Sequence, residues 1–277
     1  DNQVKSVDYQ TFCGLAKVTR IELKSNRLVE ITPGTFRDLT ALITLSLGSN
    51  RIHIVHSNAF SSLPGLTTID LQKLALREIR PGAFCCRLDR LVQVLLAGNF
   101  LQSLPAFTFA SNNLMTSSNS SLKRLDLSAN KLESIDLNAF WGLSNLTMLH
   151  LGFNSLRVLS TGRFAHLSSL LRLELHSNQM EHIKPGAFRG GVAQSLQTLD
   201  LSRNQLQFVK RHYFAELEKL ERLYLSDNHM SSIEPSAFDS LGKSLTELDL
   251  SQNCLFQIGD TRRHIVQNLS SLVSLNL

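Results

Sequence analysis

The sequence contains no run of 18 consecutive apolar residues, although 43% of its 277 residues are hydrophobic. A membrane-spanning helix needs about 20 such residues in a row, so we expect no transmembrane segment in this chain. The chain also begins without an initiator methionine or a signal-peptide pattern, and it stops at Leu277 in the middle of a repeating pattern. We therefore expect it to be a piece of a longer protein.

Net charge is also small, because Lys and Arg exceed Asp and Glu by only five charges. Such mild basicity permits contact with nucleic acid or an acidic surface but does not argue for either. The composition by itself predicts an ordinary solvated surface and leaves nucleic acid as a disfavoured partner.

Cysteine is scarce, with only Cys13, Cys85, Cys86 and Cys254 in the chain. These four residues have neither the spacing of a metal site nor the clustering that closes many extracellular repeat arrays. Cys13 and Cys85 lie three repeats apart, beyond disulfide reach, and a bridge between the adjacent Cys85 and Cys86 would be strained. We expect mostly free, semi-buried thiols and no metal or other cofactor.

The dominant feature of the sequence is a repeat, most often of 24 residues, with the pattern L-x-x-L-x-L-x-x-N. One example runs through Leu146, Leu149, Leu151 and Asn154. A phenylalanine follows ten residues after the asparagine in nearly every turn. The asparagines are Asn2, Asn26, Asn50, Asn99, Asn130, Asn154, Asn178, Asn204, Asn228 and Asn253. The phenylalanines are Phe12, Phe36, Phe60, Phe84, Phe109, Phe140, Phe164, Phe188, Phe214 and Phe238.

Each part of this repeat predicts a local structure. The alternation in x-L-x-L-x predicts a short strand with leucine on the inner face. Neighbouring repeats then stack these strands into a parallel sheet, and the rest of each repeat returns the chain to the same edge. The asparagine side chain can bond backbone groups at the turn, and the phenylalanines can stack into a spine. Pro-Gly pairs such as Pro81-Gly82 favour turns over long helices on the outer side.

This register predicts one array of ten complete repeats over residues 18–271, with partial repeats at 1–17 and 272–277 and no caps. The turn around Leu74 keeps the frame but places leucine where asparagine belongs. The complete repeats open at Val18, Leu42, Leu66, Leu91, Leu122, Leu146, Leu170, Leu196, Leu220 and Leu245. We predict an α/β fold, a curved solenoid with a parallel concave sheet and irregular or short 3-10 convex segments.

The repeat is similar to the extracellular "typical" leucine-rich repeat class over essentially the whole chain. Plant-type repeats have Gly-x-Ile-Pro where this chain has Ala-Phe, and the intracellular ribonuclease-inhibitor type has longer helical repeats. The nearest look-alikes are the ectodomains of Toll-like receptors, chaoptin-like adhesion proteins and secreted growth-factor-complex subunits. The resemblance implies a surface that binds another macromolecule.

Catalytic motifs are missing from the sequence. It has no G-x-S-x-G nucleophile turn, no H-E-x-x-H metal motif and no phosphate-binding P-loop. His150 and Glu174 could be neighbours, but no nucleophile accompanies them, and an open curved sheet offers no water-excluding pocket. We expect that the chain is not an enzyme.

The candidate binding site lies among the outward residues of the strands and turns. The L-D-L-S form at Asp126, Asp200 and Asp249 is common in the resembled class and says little about a ligand. Residues that depart from this form, together with a neighbouring arginine, make the predicted concave ligand-binding patch: Met148, His150, Phe153, Arg172, Glu174, His176 and Tyr224. Aromatic, methionine and arginine side chains are frequent interface anchors. The alternative is an ordinary solvated face with weak ion pairs.

Three N-x-S/T sequons, at Asn119, Asn145 and Asn268, are predicted glycosylation sites. Asn119 lies in a Ser/Asn-rich insertion, residues 110–119, which we expect to form a surface loop. Together with the resemblance, the sequons predict an extracellular or cell-surface location.

The sequence thus predicts a ligand-recognition ectodomain segment of a cell-surface receptor of the Toll-like innate immune type. A cell-adhesion or matrix protein, or a secreted scaffold for a protein factor, remains the alternative. The expected partner is a protein or other macromolecule on the concave face, with receptor dimerisation as a further interaction. Membrane contact would come only through parts beyond this chain, whose C-terminal continuation would discriminate among these roles.

Overall fold

The computed structural model describes residues 2–85, 88–110, 121–255 and 266–277. They belong to two compact units, Asp1–Leu146 and Thr147–Leu277. Each unit is a solenoid of stacked turns in which a short parallel strand is followed by a tight turn and an irregular return segment. This architecture confirms the predicted solenoid with a parallel sheet.

The first unit contains nine described strands. The three-residue strands β1, β2, β4, β6 and β8 pair in parallel, in chain order and in register, and form its main sheet. The two-residue strands form separate parallel pairs, β3 with β5 and β7 with β9. The bounds are β1 Arg20–Glu22, β2 Thr44–Ser46, β3 Ile54–Val55, β4 Thr68–Asp70, β5 Glu78–Ile79, β6 Gln93–Leu95, β7 Ser103–Leu104, β8 Arg124–Asp126 and β9 Ser134–Ile135.

The second unit repeats this plan with ten described strands. Its main sheet consists of β10, β12, β14, β16, β18 and β19, again parallel and in chain order. Two-residue strands pair as β11 with β13 and β15 with β17. The bounds are β10 Met148–His150, β11 Val158–Leu159, β12 Arg172–Glu174, β13 His182–Ile183, β14 Thr198–Asp200, β15 Phe208–Val209, β16 Arg222–Tyr224, β17 Ser232–Ile233, β18 Glu247–Asp249 and β19 Ser274–Asn276.

The core follows from the period-two alternation of the main strands. Leu149, at the centre of β10, and Leu151, just after it, are fully buried, whereas Met148 and His150 are only half-buried. Adjacent strands stand in register, so the central residue of each strand lies beside its counterpart, as Leu149 does beside Leu173. The inward leucines therefore form continuous rows, and we call the opposite side of each main sheet its strand face.

The turn asparagines form the hydrogen-bond ladder that the sequence predicts. The Asn204 side-chain amide donates to the carbonyl of Leu201 in its own turn (3.0 Å) and to that of Leu175 in the preceding turn (3.1 Å). Its Oδ1 accepts a hydrogen bond from the Met180 backbone N–H at 3.0 Å. One buried side chain thus satisfies backbone groups of two successive turns, for which no water is accessible.

Leu74 shows how the ladder tolerates a missing asparagine. Its side chain is fully buried, and its backbone N–H donates to Asn99 Oδ1 at 2.9 Å. The same oxygen accepts the Leu76 N–H at 3.0 Å. The asparagine of the next turn therefore supplies the acceptor, and the leucine adds apolar burial in its place.

The phenylalanines form the predicted stacked spine in each unit. In the first unit, the rings of Phe84 and Phe109 are stacked with their centroids 5.3 Å apart. In the second unit, Phe214 and Phe238 are stacked at 6.0 Å. Phe214 and Phe238 are also fully buried, so each ring adds apolar burial as well as a ring contact to its turn.

The sequence analysis missed the two-residue strands, because two consecutive residues are too few to show a period. The expected short 3-10 segments occur at Gly191–Gln194 and Asp239–Leu241. The first follows Gly190, whose φ is +93° and whose added Cβ would lie 2.8 Å from Ala165 Cβ. Glycine therefore allows this longer turn to pass close to its neighbour.

The cysteines correct one expectation. Cys13 and Cys254 are free, but they are exposed rather than semi-buried. Cys85 is buried, and its thiol donates a hydrogen bond to Asn58 Oδ1 at 3.0 Å. Cys86 and the insertion from residue 111 to 120 lie outside the described residues.

Replacing Leu151 by Asp tests the inward register. The substitution would place a carboxylate where the leucine is fully buried, so we expect the free energy of unfolding to fall by about 3 kcal/mol or more. Urea denaturation followed by circular dichroism measures the change. Arg157→Asp, at an exposed position of the same turn, is the matched control and should change stability by less than about 0.5 kcal/mol. Equal stability of the two variants would contradict the register.

Replacing Asn204 by Ala tests the ladder. The variant leaves the Met180 N–H without its acceptor, whereas the carbonyls of Leu175 and Leu201 each keep a second amide donor, from Asn178 and Asn228. The loss should cost about 1–3 kcal/mol. The neighbouring exposed Gln205→Ala provides the control, and thermal denaturation of both variants measures the difference. A melting temperature unchanged from wild type in Asn204→Ala would refute the role given to the asparagine.

Candidate ligand-binding face

All seven predicted patch residues lie in the second unit. Met148 and His150 are on β10, Arg172 and Glu174 are on β12, and Tyr224 is on β16. Phe153 and His176 lie in the turns that follow β10 and β12. The parallel register sets Met148 beside Arg172 and His150 beside Glu174. Six of the seven residues therefore occupy two adjacent turns.

The centre of this group is a polar network around the Glu174 carboxylate. His150 Nδ1 lies 2.6 Å from Glu174 Oε2, a distance at which the ring N–H donates to the carboxylate. Arg172 Nη1 approaches the other oxygen, Oε1, less closely at 3.8 Å. Side-chain exposure is 16% for His150 and 20% for Glu174 but 45% for Arg172. The histidine thus engages the carboxylate, and the guanidinium stays largely open to solvent.

This network determines the charge state of Glu174. The hydrogen bond from His150 lowers the pKa of the Glu174 carboxyl, in opposition to burial, which raises it. The charges of His150, His176 and Arg172 act in the same direction as the hydrogen bond. Glu174 is therefore an anion at neutral pH and gives the half-buried patch a fixed negative point.

Phe153 and His176 form the aromatic part of the patch. Their rings meet edge to face with centroids 4.9 Å apart. The His176 ring also lies against Gly152, where an added Cβ would come within 2.7 Å of Nε2. Glycine at position 152 therefore leaves the space in which the histidine ring packs beside Phe153.

Tyr224 lies on the same strand face but is separated from Glu174 by one strand. The register runs from Glu174 to Asp200 on β14 and from Asp200 to Tyr224 on β16. Burial and a hydrogen bond to Glu247 raise the pKa of the Tyr224 hydroxyl. Arg222 Nε lies 3.7 Å from the same glutamate. Tyr224 thus belongs to a second polar group two strands away from the first.

The sequence analysis missed Glu247 and Gly152 as parts of this surface. Glu247 pairs in register with Arg222 and hydrogen-bonds to Tyr224. Aligning the first outward residue of every strand would have placed it beside Arg222. Gly152 gave no such signal, because its contribution is the space that it leaves for a neighbouring ring.

The patch residues lie on the strand face of the second unit and in the turns beside it. Among the described residues, no group of three His, Cys, Asp or Glu side chains is placed to hold a metal ion. No helix within the described ranges has the length and apolar character to cross a membrane. The arrangement provides fixed charges, hydrogen-bond donors and aromatic edges for a partner that lies on the face.

Glu174→Gln tests the effect of pH on the network. The pKa of Glu174 is lowered in the folded state, so the ionised carboxylate stabilises the fold at pH values above 4.5, the ordinary pKa of this group. This stability is lost as the pH falls through the lowered pKa. We expect the wild type to exceed Glu174→Gln by at most about 1 kcal/mol at pH 7, since solvent screens the partly exposed pair. The difference should shrink below pH 4.5.

Urea denaturation at a series of pH values measures this difference, and the exposed Glu181→Gln serves as the control. A stability difference for Glu174→Gln that is independent of pH would show that the carboxylate charge has no such effect.

Comparisons with known proteins match this fold. The leucine-rich repeat family model matches residues 16–76, 89–156, 144–192 and 194–255. The chain is similar to TLR13, solved as a TLR13–ssRNA13 complex, with 29% identity over 98% of this chain and a TM-score of 0.76. It is also similar to a chain of the Toll–Spätzle complex of Drosophila, with 23% identity over 99% of this chain and a TM-score of 0.71.

A third similar structure is the octameric complex of latrophilin 3, Unc5D and FLRT2, with 24% identity over 85% of this chain, 76% coverage of the matched chain and a TM-score of 0.61. No protein with a curated description shows significant similarity. The chain spans only 38% of the TLR13 chain and 39% of the matched chain in the Toll complex. Because the family model matches most of its length and the strands repeat in the same order, this chain belongs to the leucine-rich repeat family.

Proposed function

We propose that this chain is a ligand-recognition segment from the ectodomain of a cell-surface receptor of the Toll-like innate immune type, and that it binds rather than catalyses. Its similarity to TLR13 and to the Toll complex supports this assignment. The patch of the second unit, from Met148 to Tyr224, is the proposed ligand-binding surface. A stack of rigid turns presents such a surface with little entropy left to lose on binding.

The observation that carries this proposal is the position of Phe153. Its backbone is left-handed, with φ of +56°, as is that of the equivalent residue in other turns, for example Ser177, Arg203 and Asp227. A bulky aromatic residue is poorly suited to this conformation. The Phe153 side chain is also 55% exposed, so it adds little to the core. Folding does not favour this phenylalanine, whereas a role as an interface anchor does.

The charge of the strand face favours a protein as the ligand. The outward strand residues of the second unit include only two arginines, Arg172 and Arg222. They include four carboxylates, Glu174, Asp200, Glu247 and Asp249. A polyanion such as the RNA in the TLR13 complex would be repelled by this excess, whereas a protein can match charges of both signs.

A cell-adhesion or matrix protein, or a secreted scaffold for a protein factor, is the second candidate function. The similarity to the complex that contains FLRT2, latrophilin 3 and Unc5D supports it. Both candidates use the same surface to bind a protein, and they differ in what lies beyond this chain.

We also propose an extracellular location with glycosylation at the three sequons. Asn145 and Asn268 are exposed, so a glycan could be attached at either position. Asn119 lies outside the described residues. Dimerisation of the receptor on ligand binding belongs to the same proposal.

The patch can be tested by screening the 277-residue chain against a yeast-displayed library of secreted proteins and, separately, against single-stranded RNA. A variant with Met148, His150, Phe153 and Tyr224 changed to alanine should weaken binding of the selected protein by at least about tenfold, because interface anchors often contribute more than 1 kcal/mol each. Titration by surface plasmon resonance measures the affinity.

The matched control changes Thr68, Gln93, Leu95 and Arg124 to alanine, all on the strand face of the first unit. This variant should bind within about twofold of wild type, which lies inside the usual effect of a surface substitution. If the selected protein bound the patch variant as tightly as wild type, this surface would not be its binding site. If RNA bound and its binding were lost in the patch variant, the ligand would be a nucleic acid and not a protein.

A further inference from the structure

A second surface of this unit lies on the loops that follow its two-residue strands. We call residues 160–163, 184–189 and 210–213 the basic loops. They contain five cations and no carboxylate. Lys184, Arg189 and Arg211 are exposed, and Arg163 and Lys210 are half-buried.

Backbone and side-chain contacts hold the three basic loops side by side. The first and second are joined by the hydrogen bond from the Gly162 N–H to the Gly186 carbonyl at 3.0 Å. The turns that carry the second and third are joined by the stacked rings of His182 and Phe208, whose centroids are 6.0 Å apart. Stacked turns are about 5 Å apart, less than the screening length of about 8 Å at physiological salt, so the fields of these cations add.

Four carboxylates, Glu181, Glu216, Glu218 and Glu234, lie just outside the three basic loops. On the turn that follows the third basic loop, Glu234 Oε2 accepts a hydrogen bond from the Arg211 backbone N–H at 3.0 Å. This carboxylate therefore already has a partner at one edge of the surface. Glu181 is exposed, two residues ahead of Ile183 in the second turn. Glu216 and Glu218 follow Tyr213 by three and five residues, so the five cations are flanked by four carboxylates, none of which lies within the three loops.

The two larger aromatic residues beside the basic loops, Phe208 and Tyr213, are engaged by neighbouring side chains. The Phe208 ring stacks on His182 with centroids 6.0 Å apart, and Lys210 Nζ lies over the same ring, 5.0 Å from its centroid. Tyr213 is 3% exposed. Single-stranded nucleic acids are usually held by aromatic faces open for base stacking together with a basic groove. Phe208 and Tyr213 therefore contribute little free ring surface for such stacking, whereas the five cations supply the charge.

We propose that the basic loops bind a sulfated polysaccharide. Its sulfate groups need closely spaced cations along an extended path and no ring to stack on, which is what Arg163, Lys184, Arg189, Lys210 and Arg211 supply across three turns. The choice of this polyanion rests on the extracellular location proposed above. The surface is separate from the strand-face patch, so a polysaccharide and a protein ligand could bind together.

Isothermal titration of the 277-residue chain with a short heparin oligosaccharide at physiological salt tests the proposal. Desulfated heparin and a single-stranded RNA of equal charge are the comparison probes. The variant Lys184→Gln/Arg189→Gln/Arg211→Gln should lose about tenfold in heparin affinity, as expected for three partly screened ion pairs. Binding of heparin should also weaken steeply with added salt, and desulfated heparin should not bind.

The matched control removes the same charge from exposed positions of the same unit, as Arg157→Gln/Lys219→Gln/Lys243→Gln. It should bind heparin within about twofold of wild type. If both variants lost the same heparin affinity, the effect would come from the overall charge of the chain and not from the basic loops. If RNA bound more tightly than heparin, the surface would be a nucleic acid site. Either result, or no heparin binding, overturns the proposal. The alanine variant of the strand-face patch should bind heparin normally, which separates this test from that of the protein ligand.

Discussion

The turn asparagines allow this chain to fold with little regular secondary structure, because their side chains satisfy buried backbone groups that no helix or strand pairs. Each turn reverses direction next to the core, where backbone groups cannot reach water, and one amide side chain meets that need in two turns at once. Asn204 does so with bonds to Leu175, Leu201 and Met180. Because each amide joins a turn to the one before it, the spacing of successive strands is fixed independently of the outward residues.

This division between inner and outer residues leaves two surfaces free to carry function. In the second unit, the strand face has more carboxylates than arginines, whereas the basic loops have cations alone. The charged side chains of these two surfaces take no part in the leucine rows or the phenylalanine spine, so the fold does not depend on them. A single unit can therefore present surfaces of opposite charge to different partners.

The candidate patch combines a rigid charged centre with an exposed aromatic edge. His150 Nδ1 bonds to Glu174 at 2.6 Å, whereas the Arg172 side chain, 3.8 Å from the same carboxylate, is 45% exposed. Phe153 lies at the margin, in a left-handed backbone position where it gains little burial. A partner that covers this edge would bury an aromatic ring already held in place by His176. Such preorganisation lowers the entropy cost of binding.

The sequence by itself determined the inward register, the parallel stacking, the asparagine ladder and the phenylalanine spine, because each depends on a residue type that recurs at a fixed spacing. It also predicted a binding patch from residues that depart from the repeat, and the ligand-binding role of that patch stays a prediction. Only the tertiary structure decided that His150 hydrogen-bonds to Glu174, that Gly152 leaves space for the His176 ring, and that the Tyr224 hydroxyl donates to Glu247. These contacts join residues of adjacent turns. The repeat period in the sequence places such residues side by side but does not specify the side-chain rotamers that bring them into contact. The grouping of cations on the basic loops likewise became visible only when three distant segments stood side by side.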